Sequence, residues 1–518
     1  MTVEIFPQSN SLRAGKQVRR RDLQGAGVLL LALVCFATAQ AQESAVLPMA
    51  PGAQLATLPA VNRLVRPYDS PTVAGSTIHF AGGVTVEKAT AEALPLGLDD
   101  AIDRGLKHNL QILLANQSER SVQGEISTVY FALLPNVRAT AYTGASEINL
   151  AAMGFKPASF AAFGFAPGSI HEITKVDTTG VQLSADQVLF NLTDVYLYAA
   201  ARKAGNVVEM NRLNVRGGVV DAVGTQYLAA LADQAQIANT RARVTADQEV
   251  LRQAMLSREA GVAINLDVLR SQVQLQVELQ ALVRAEDAFA KDKIALNRLI
   301  GLPAEQELTL VDAVPYADLV QMPLDQTKAL AFERRKDLLA LEAQLEVAER
   351  AQKAVKYERL PSLAFNSDYG VMGVTRGLYH GVFTAEGTLK IPLFEEGRLR
   401  GESEIAAAQE LSLRRQIVSL RVSIDAQIRA SRLDVESSAE LVKVARSNVD
   451  LATEALADTR ERFTAGVADD LPVVEAQATL AAAQSRLVAN EFRFNQAKLT
   501  LARNTGVVET EYKQYLGR

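Results

Sequence analysis

Shifted by 205 positions, the chain matches itself. Ala260-Gly261-Val262-Ala263 falls on Ala465-Gly466-Val467-Ala468, and the register continues without a gap. Leu266, Val268, Gln272, Leu275, Leu282, Glu286, Phe289, Lys293, Leu296, Arg298 and Gly301 meet Leu471, Val473, Gln477, Leu480, Leu487, Glu491, Phe494, Lys498, Leu501, Arg503 and Gly506. Identities this dense in one register mark a duplicated structural unit, so the fold must hold two similar halves. Upstream the likeness is looser: Leu98-Asp99 through Asn109-Leu110 resembles Leu324-Asp325 through Asp337-Leu338.

Each half has the same order. A helical pattern ends near Leu134-Pro135 or Leu360-Pro361, and strand-like stretches close at Val188-Leu189-Phe190 or Ile391-Pro392-Leu393-Phe394. A long Ala-, Gln- and Arg-rich run follows, about 192 to 260 and about 395 to 464. At 1.5 Å per residue these long helices reach roughly 100 Å, and the shorter ones (98–133, 266–300, 325–359, 471–505) roughly 50 Å. Two short helices end to end match one long helix. Val268, Leu275, Leu282, Phe289 and Leu296 recur every seven residues, the period of a coiled-coil seam. Gly261 and Gly466 sit where each long helix turns back.

The strands carry a period of two. Phe383, Ala385, Gly387, Leu389 and Ile391 alternate with Thr384, Glu386, Thr388 and Lys390, and Leu363, Phe365, Tyr369 and Val371 alternate less cleanly. Two-faced strands of about ten residues fit an outer-membrane barrel. A half-buried soluble sheet gives the same alternation; if these strands span a membrane, four cannot close a barrel and lipid tolerates no open edge, so several protomers must share one. The segment from about Ser146 to His171 then reads as an outward loop of that barrel.

Composition narrows the class. A mean hydropathy of +0.04 and a net charge of -5 exclude a polytopic helical membrane protein and leave no basic footprint for nucleic acid. One Cys, Cys35, and four scattered His residues exclude a disulfide scaffold and an ordinary metal centre, and no cofactor is expected. Near the start, Arg13, Lys16, Arg19, Arg20 and Arg21 precede the apolar run Gly25 to Thr38 and an Ala39-Gln40-Ala41 site. These features read as a secretory signal, so Cys35 leaves with it. Val34 stands where a lipoprotein signal needs a small residue.

These residues resemble the TolC-like outer-membrane efflux proteins over roughly 98 to 506. The likeness rests on Leu98-x-x-Ala101-Ile102-x-x-Gly105-Leu106-x-x-Asn109-Leu110, Leu134-Pro135-Asn136, Ile391-Pro392-Leu393-Phe394-Glu395-Glu396-Gly397-Arg398 and the two Ala-Gly-Val turns. The resemblance implies a mainly α protein with a membrane β-barrel. Each chain would hold a duplicated helix-strand-strand-long helix-short helix unit, and a homotrimer would form a 12-stranded barrel and a 12-helix periplasmic tunnel. It further implies an outer-membrane exit duct for efflux or secretion, opened by a periplasmic adaptor and an inner-membrane pump. The expected layout is a signal peptide (1–41), a Pro-punctuated segment (42–97), a first repeat (98–310), a linker (311–323) and a second repeat with a short tail (324–518).

By the same resemblance, Gly261, Val262, Ala263, Gly466, Val467 and Ala468 form the adaptor-contact turns. Asp267 and Glu475 take acidic gate positions and Phe463 an aromatic one. Pro472 and Ala468 depart from the family's acidic and basic positions, and Asp469 and Asp470 are the substitutes for the missing charge, unless they only cap the helix before Pro472. Asp99-Asp100-Ala101-Ile102-Asp103 has a magnesium-diphosphate spacing, but after Gly97 it reads as a helix N-terminus. No catalytic motif is present. The alternative reading, a soluble periplasmic coiled-coil binding or adaptor protein, explains the helices and the export signal but not the duplicated strand pairs.

Overall fold

A computed structural model describes residues 82–85, 88–149, 152, 166, 173–261, 264–312, 317–319, 322–465 and 471–517. The export signal, Cys35, most of the proline-punctuated segment and nearly all of the expected 146–171 loop lie outside them. In chain order the elements are β1 (Leu94–Leu96), α1 (Leu98–His108), α2 (Leu110–Phe131), β2 (Asn136–Asn149), β3 (Ile173–Phe190), α3 (Leu192–Glu259) and α4 (Asn265–Ile300). Then follow β4 (Leu308–Leu310), α5 (Leu324–Arg334), α6 (Lys336–Tyr357), β5 (Ser362–Val374), β6 (Tyr379–Lys390), α7 (Glu396–Thr464), α8 (Leu471–Asn504) and α9 (Val508–Leu516). The long helices α3 and α7 hold 68 and 69 residues. At 1.5 Å per residue each spans about 100 Å, as their composition predicts. Among the described residues, no helix is long and apolar enough to cross a membrane.

The upstream helices correct the expectation of one continuous run in each half. The first breaks at Asn109 (φ -68°, ψ 128°), whose side chain accepts from the Gln111 amide at 3.0 Å and so starts α2. The second breaks at Arg335 (φ -65°, ψ 119°). There Asp337 accepts the Leu338 amide at 2.9 Å and holds the Arg335 guanidinium in two bonds of 3.0 and 2.6 Å. Each break separates an 11-residue helix from a 22-residue one. Asn109 therefore matches Arg335, two positions before the Asp337 match that the residue identities favour.

Lateral packing also crosses between the halves. Toward the sheet, α3 packs against α2 and against α6 of the second repeat, while α7 packs against α6. Toward the turns, α3 pairs with α4 and α7 with α8, and α8 also lies against α3. Of the seven-residue seam of α4, Val268, Leu275 and Leu296 are buried. The main core lies midway, where β1 and β4 form a short parallel pair beneath α1, α3, α8 and α9. At its centre the buried Tyr227 donates its hydroxyl to the Leu96 carbonyl at 3.0 Å and Asp312 at 2.8 Å, and Asp312 also accepts the Leu98 amide that opens α1.

Candidate functional site

Four antiparallel strands, in the order β2-β3-β5-β6, form one sheet. Its register largely sorts the side chains by chemistry, with exceptions at Thr143 and Thr179 on the first face below and at Tyr142, Met372 and Val382 on the second. One face carries the rows Ala139–Leu183–Tyr369–Phe383 and Ala141–Val181–Val371–Gly381. The opposite face carries Arg138–Ser184–Asp368–Thr384 and Asn136–Asp186–Asn366–Glu386, with Arg138 and Asp186 ion-paired at 2.6 Å. Val181, Leu183, Tyr369 and Phe383 are exposed, and β6 is exposed along its whole length. Among the described residues, strands β2 and β6 each have one unpaired edge. An apolar face, a polar face and two open edges describe a section of barrel wall, apolar toward lipid and polar toward a lumen. Below it, Leu393 and Phe394 stand almost wholly in solvent.

At the far end, Gly261 closes α3 with φ +74°, and the Arg258 guanidinium reaches Asn265 across the turn at 3.1 Å. Asp267 accepts the Ile264 amide at 3.2 Å and lies 3.7 Å from Arg270. It caps α4 as well as standing near the turn. Glu475 is exposed on α8 and Phe463 is half-buried at the end of α7. Val262, Ala263, Gly466, Val467, Ala468, Asp469 and Asp470 lie outside the described residues, so these candidates are only partly placed. Asp99, from the acidic run at the start of α1, is held by Tyr512 at 2.6 Å and Lys513 at 2.8 Å. Among the described residues, no group of three His, Cys, Asp or Glu could hold a metal.

A second polar site lies between α3 and α4, away from the residues that the resemblance singles out. Asp247 of α3 and Glu278 of α4 are 4% and 7% exposed beside a cavity of about 190 Å³. Arg243 donates to Glu278 at 2.9 Å. Burial, then the nearby Glu278, pushes the Asp247 carboxyl up to about 6. The signal was present: Ser271, Glu278, Ala285 and Asp292 recur every seven residues, a second seam row bearing acids where apolar residues belong.

The outer membrane efflux protein family model matches residues 101–302 and 329–507, both halves of the duplication. The chain belongs to the outer membrane efflux protein family. Its place is accordingly the outer membrane, with the helices extending into the periplasm. It is similar to the pyoverdine export outer membrane protein OpmQ of Pseudomonas aeruginosa, with 24% identity over 79% of this chain and 85% of that protein. The OpmQ of Pseudomonas putida is 22% identical over 59% of this chain, and the match spans 66% of its length. The fold matches the solved structure of CusC, described for its transmembrane channel formation, with a TM-score of 0.68 at 14% identity over 82% of this chain and 96% of that one. This likeness carries the mainly helical, barrel-forming fold read from the strand pattern.

Proposed function

We infer that three copies of this chain form an exit duct of an efflux or secretion system, a passive conduit from periplasm to exterior. The observation that carries the reading is the sheet: four strands, mainly apolar on one face and mainly polar on the other, with both outer edges unpaired among the described residues. Three copies give twelve strands, enough to close a barrel in lipid. Exposed apolar stripes along the helices support the same assembly. On α7, Leu411, Val418, Val422, Leu433, Val444 and Leu451 share one face, and on α4, Leu266, Leu269, Val273 and Val277 share another. Each stripe needs a cover, and a neighbouring copy supplies it.

The duct's partners are a periplasmic adaptor and an inner-membrane pump, met at the turns Gly261–Val262–Ala263 and Gly466–Val467–Ala468. Three copies of Asp267 and Glu475 ring the narrow end, with Phe463, Asp469 and Asp470 near them. Carboxylates crowded around an opening favour cations in transit and are blocked by multivalent ones. The soluble-adaptor alternative leaves the two-faced sheet without a use.

Planar-bilayer recording tests this reading. The wild-type protein is expected to insert as cation-selective pores blocked by trivalent cations. The double variant D267N/E475Q is expected to lose much of that block and selectivity while still inserting. Failure to form pores would contradict the duct. Unchanged block and selectivity in the double variant would remove these two acids from the gate and turn attention to Asp469 and Asp470.

A further inference from the structure

The first hairpin carries carboxylates facing one another across its coiled coil, two heptads apart. Asp247 of α3 stands beside Glu278 of α4, and Asp233 of α3 stands beside Asp292 of α4. The duplication supplies an internal control. The residues of the second hairpin matching Asp247 and Glu278 are Ala452 and Ala483, both buried, and those matching Asp233 and Asp292 are Ser438 and Ala497. The hairpin therefore closes with small residues at these places, and packing alone does not call for acids.

The Asp247 pair opens on a cavity where both hairpins meet. Its lining includes Arg243 and Asp247 from α3, Gln274 and Glu278 from α4, Arg460 from α7, and Gln477 and Gln484 from α8. The space is about 190 Å³, enough for several water molecules. Several buried atoms around it have no partner among the described residues: Asp247 Oδ2, Arg243 Nη1, and both Gln477 side-chain atoms, Nε2 and Oε1. Gln477 is only 8% exposed. Buried donors and acceptors left open in this way need water or a moving partner.

We propose that this cavity is a proton-binding site that couples the two hairpins, with Asp247 as the group that takes the proton and Arg460 as the partner across the gap. The charges facing Asp247 come from three elements: Arg243 on α3, Glu278 on α4 and Arg460 on α7, while α8 lines the cavity with amides. Arg243 is already committed to Glu278. Ionised Asp247 is repelled by Glu278 and favoured by Gln274, by Arg243 on its own helix and by Arg460 across the gap; of these, only Arg460 lies on α7, so losing the proton draws α7 toward α3. Protonated Asp247 has no such attraction, and the cavity stays open and wet. With Asp247 pushed up to about 6 by burial and Glu278, the proton exchanges in mildly acidic solution. This coupling goes beyond the conduit reading and does not depend on it, because it concerns two hairpins within one chain.

Pulsed spin-label distances test the proposal on the exported protein, carrying Gln248→Cys on α3 and Ala457→Cys on α7. Labelled protein is diluted with unlabelled protein so that one chain's pair is read. The expected result is a shorter mean distance at pH 7.5 than at pH 5, with a midpoint near 6. D247N and R460Q should each hold the pH 5 distribution at both values. The variant D247A/E278A installs the residues that the second hairpin already uses, so it should fold and show no transition. A wild-type distribution that does not change between pH 5 and 7.5, or a transition that survives in D247N or in R460Q, would overturn the coupling.

Discussion

Gly506 lies so close to the helix break at Arg335 that a Cβ on it would come within 2.8 Å of the Arg335 backbone nitrogen. Its counterpart Gly301 sits against the other break, where a Cβ would meet the His108 Cβ at 2.6 Å. Both glycines have left-handed φ, 77° at Gly301 and 79° at Gly506. In each half, then, the glycine ending the short returning helix makes room for the break in the upstream one. The break and the glycine are one device, used twice.

Substitution at these glycines should be costly in a graded way. A left-handed residue with a Cβ costs roughly 1–2 kcal/mol, and a contact that backbone must yield adds about 1–3 kcal/mol. Gly261 has the same sign of φ but open space where its Cβ would go. Thermal unfolding in detergent should show G506A losing about 3 kcal/mol and G261A about 1 kcal/mol. Equal losses would mean that the close approach to Arg335 carries no energy.

Lys498 gives a pH dependence of definite sign. Its side chain is fully buried in α8, with the ammonium 4.4 Å from the Phe494 ring centroid and donating to the Ala317 carbonyl at 3.2 Å. Burial pulls it down to about 8 from 10.5. Between those values the unfolded chain binds the proton that the folded chain has released, so stability rises with pH from about 8 to about 10.5. Below 8 both states are protonated, and the cost of the buried charge, on the order of 3 kcal/mol, is fully present. Denaturation midpoints of the wild type should climb across this window, and K498M should lose that climb. A flat wild-type profile would contradict a charged, buried Lys498 at neutral pH.

The sheet's two faces should answer differently to one added charge. Val181 lies on the apolar face and Gln182, its neighbour in β3, on the polar one. Arginine facing the bilayer midplane costs about 2–4 kcal/mol, and arginine facing a lumen little. V181R should therefore sharply reduce assembled protein in the outer-membrane fraction, while Q182R should assemble normally and shift ion selectivity. Equal yields would mean that the apolar face does not meet lipid.

Much of this architecture was legible because it obeys simple periods. The duplication, the long helices and the alternation in Phe383 to Ile391 all follow from repeats of 205, of about seven and of two positions. The helix breaks were not legible, since Asn109 and Arg335 are neither Gly nor Pro, and each break is set by side-chain bonds and by a glycine far along the chain. Strands of three residues such as β1 and β4 carry no usable pattern, and they exist because Tyr227 and Asp312 close the core around them. At the gate, only the resemblance gives Asp267 its acidic gate position, and the capping bond to Ile264 shows that the same residue also serves the helix. The acids at Glu278 and Asp292 stood in plain view in a seam row, yet only the fold brings Asp247, Arg460 and Gln477 to them.

The duct requires that one chain supply a third of a closed barrel. Native mass spectrometry of the protein extracted from outer membranes in mild detergent measures this directly. Three copies per complex is the expected result, because three four-stranded sheets leave no edge unpaired. A folded single copy, or a complex of a number other than three, would contradict the account.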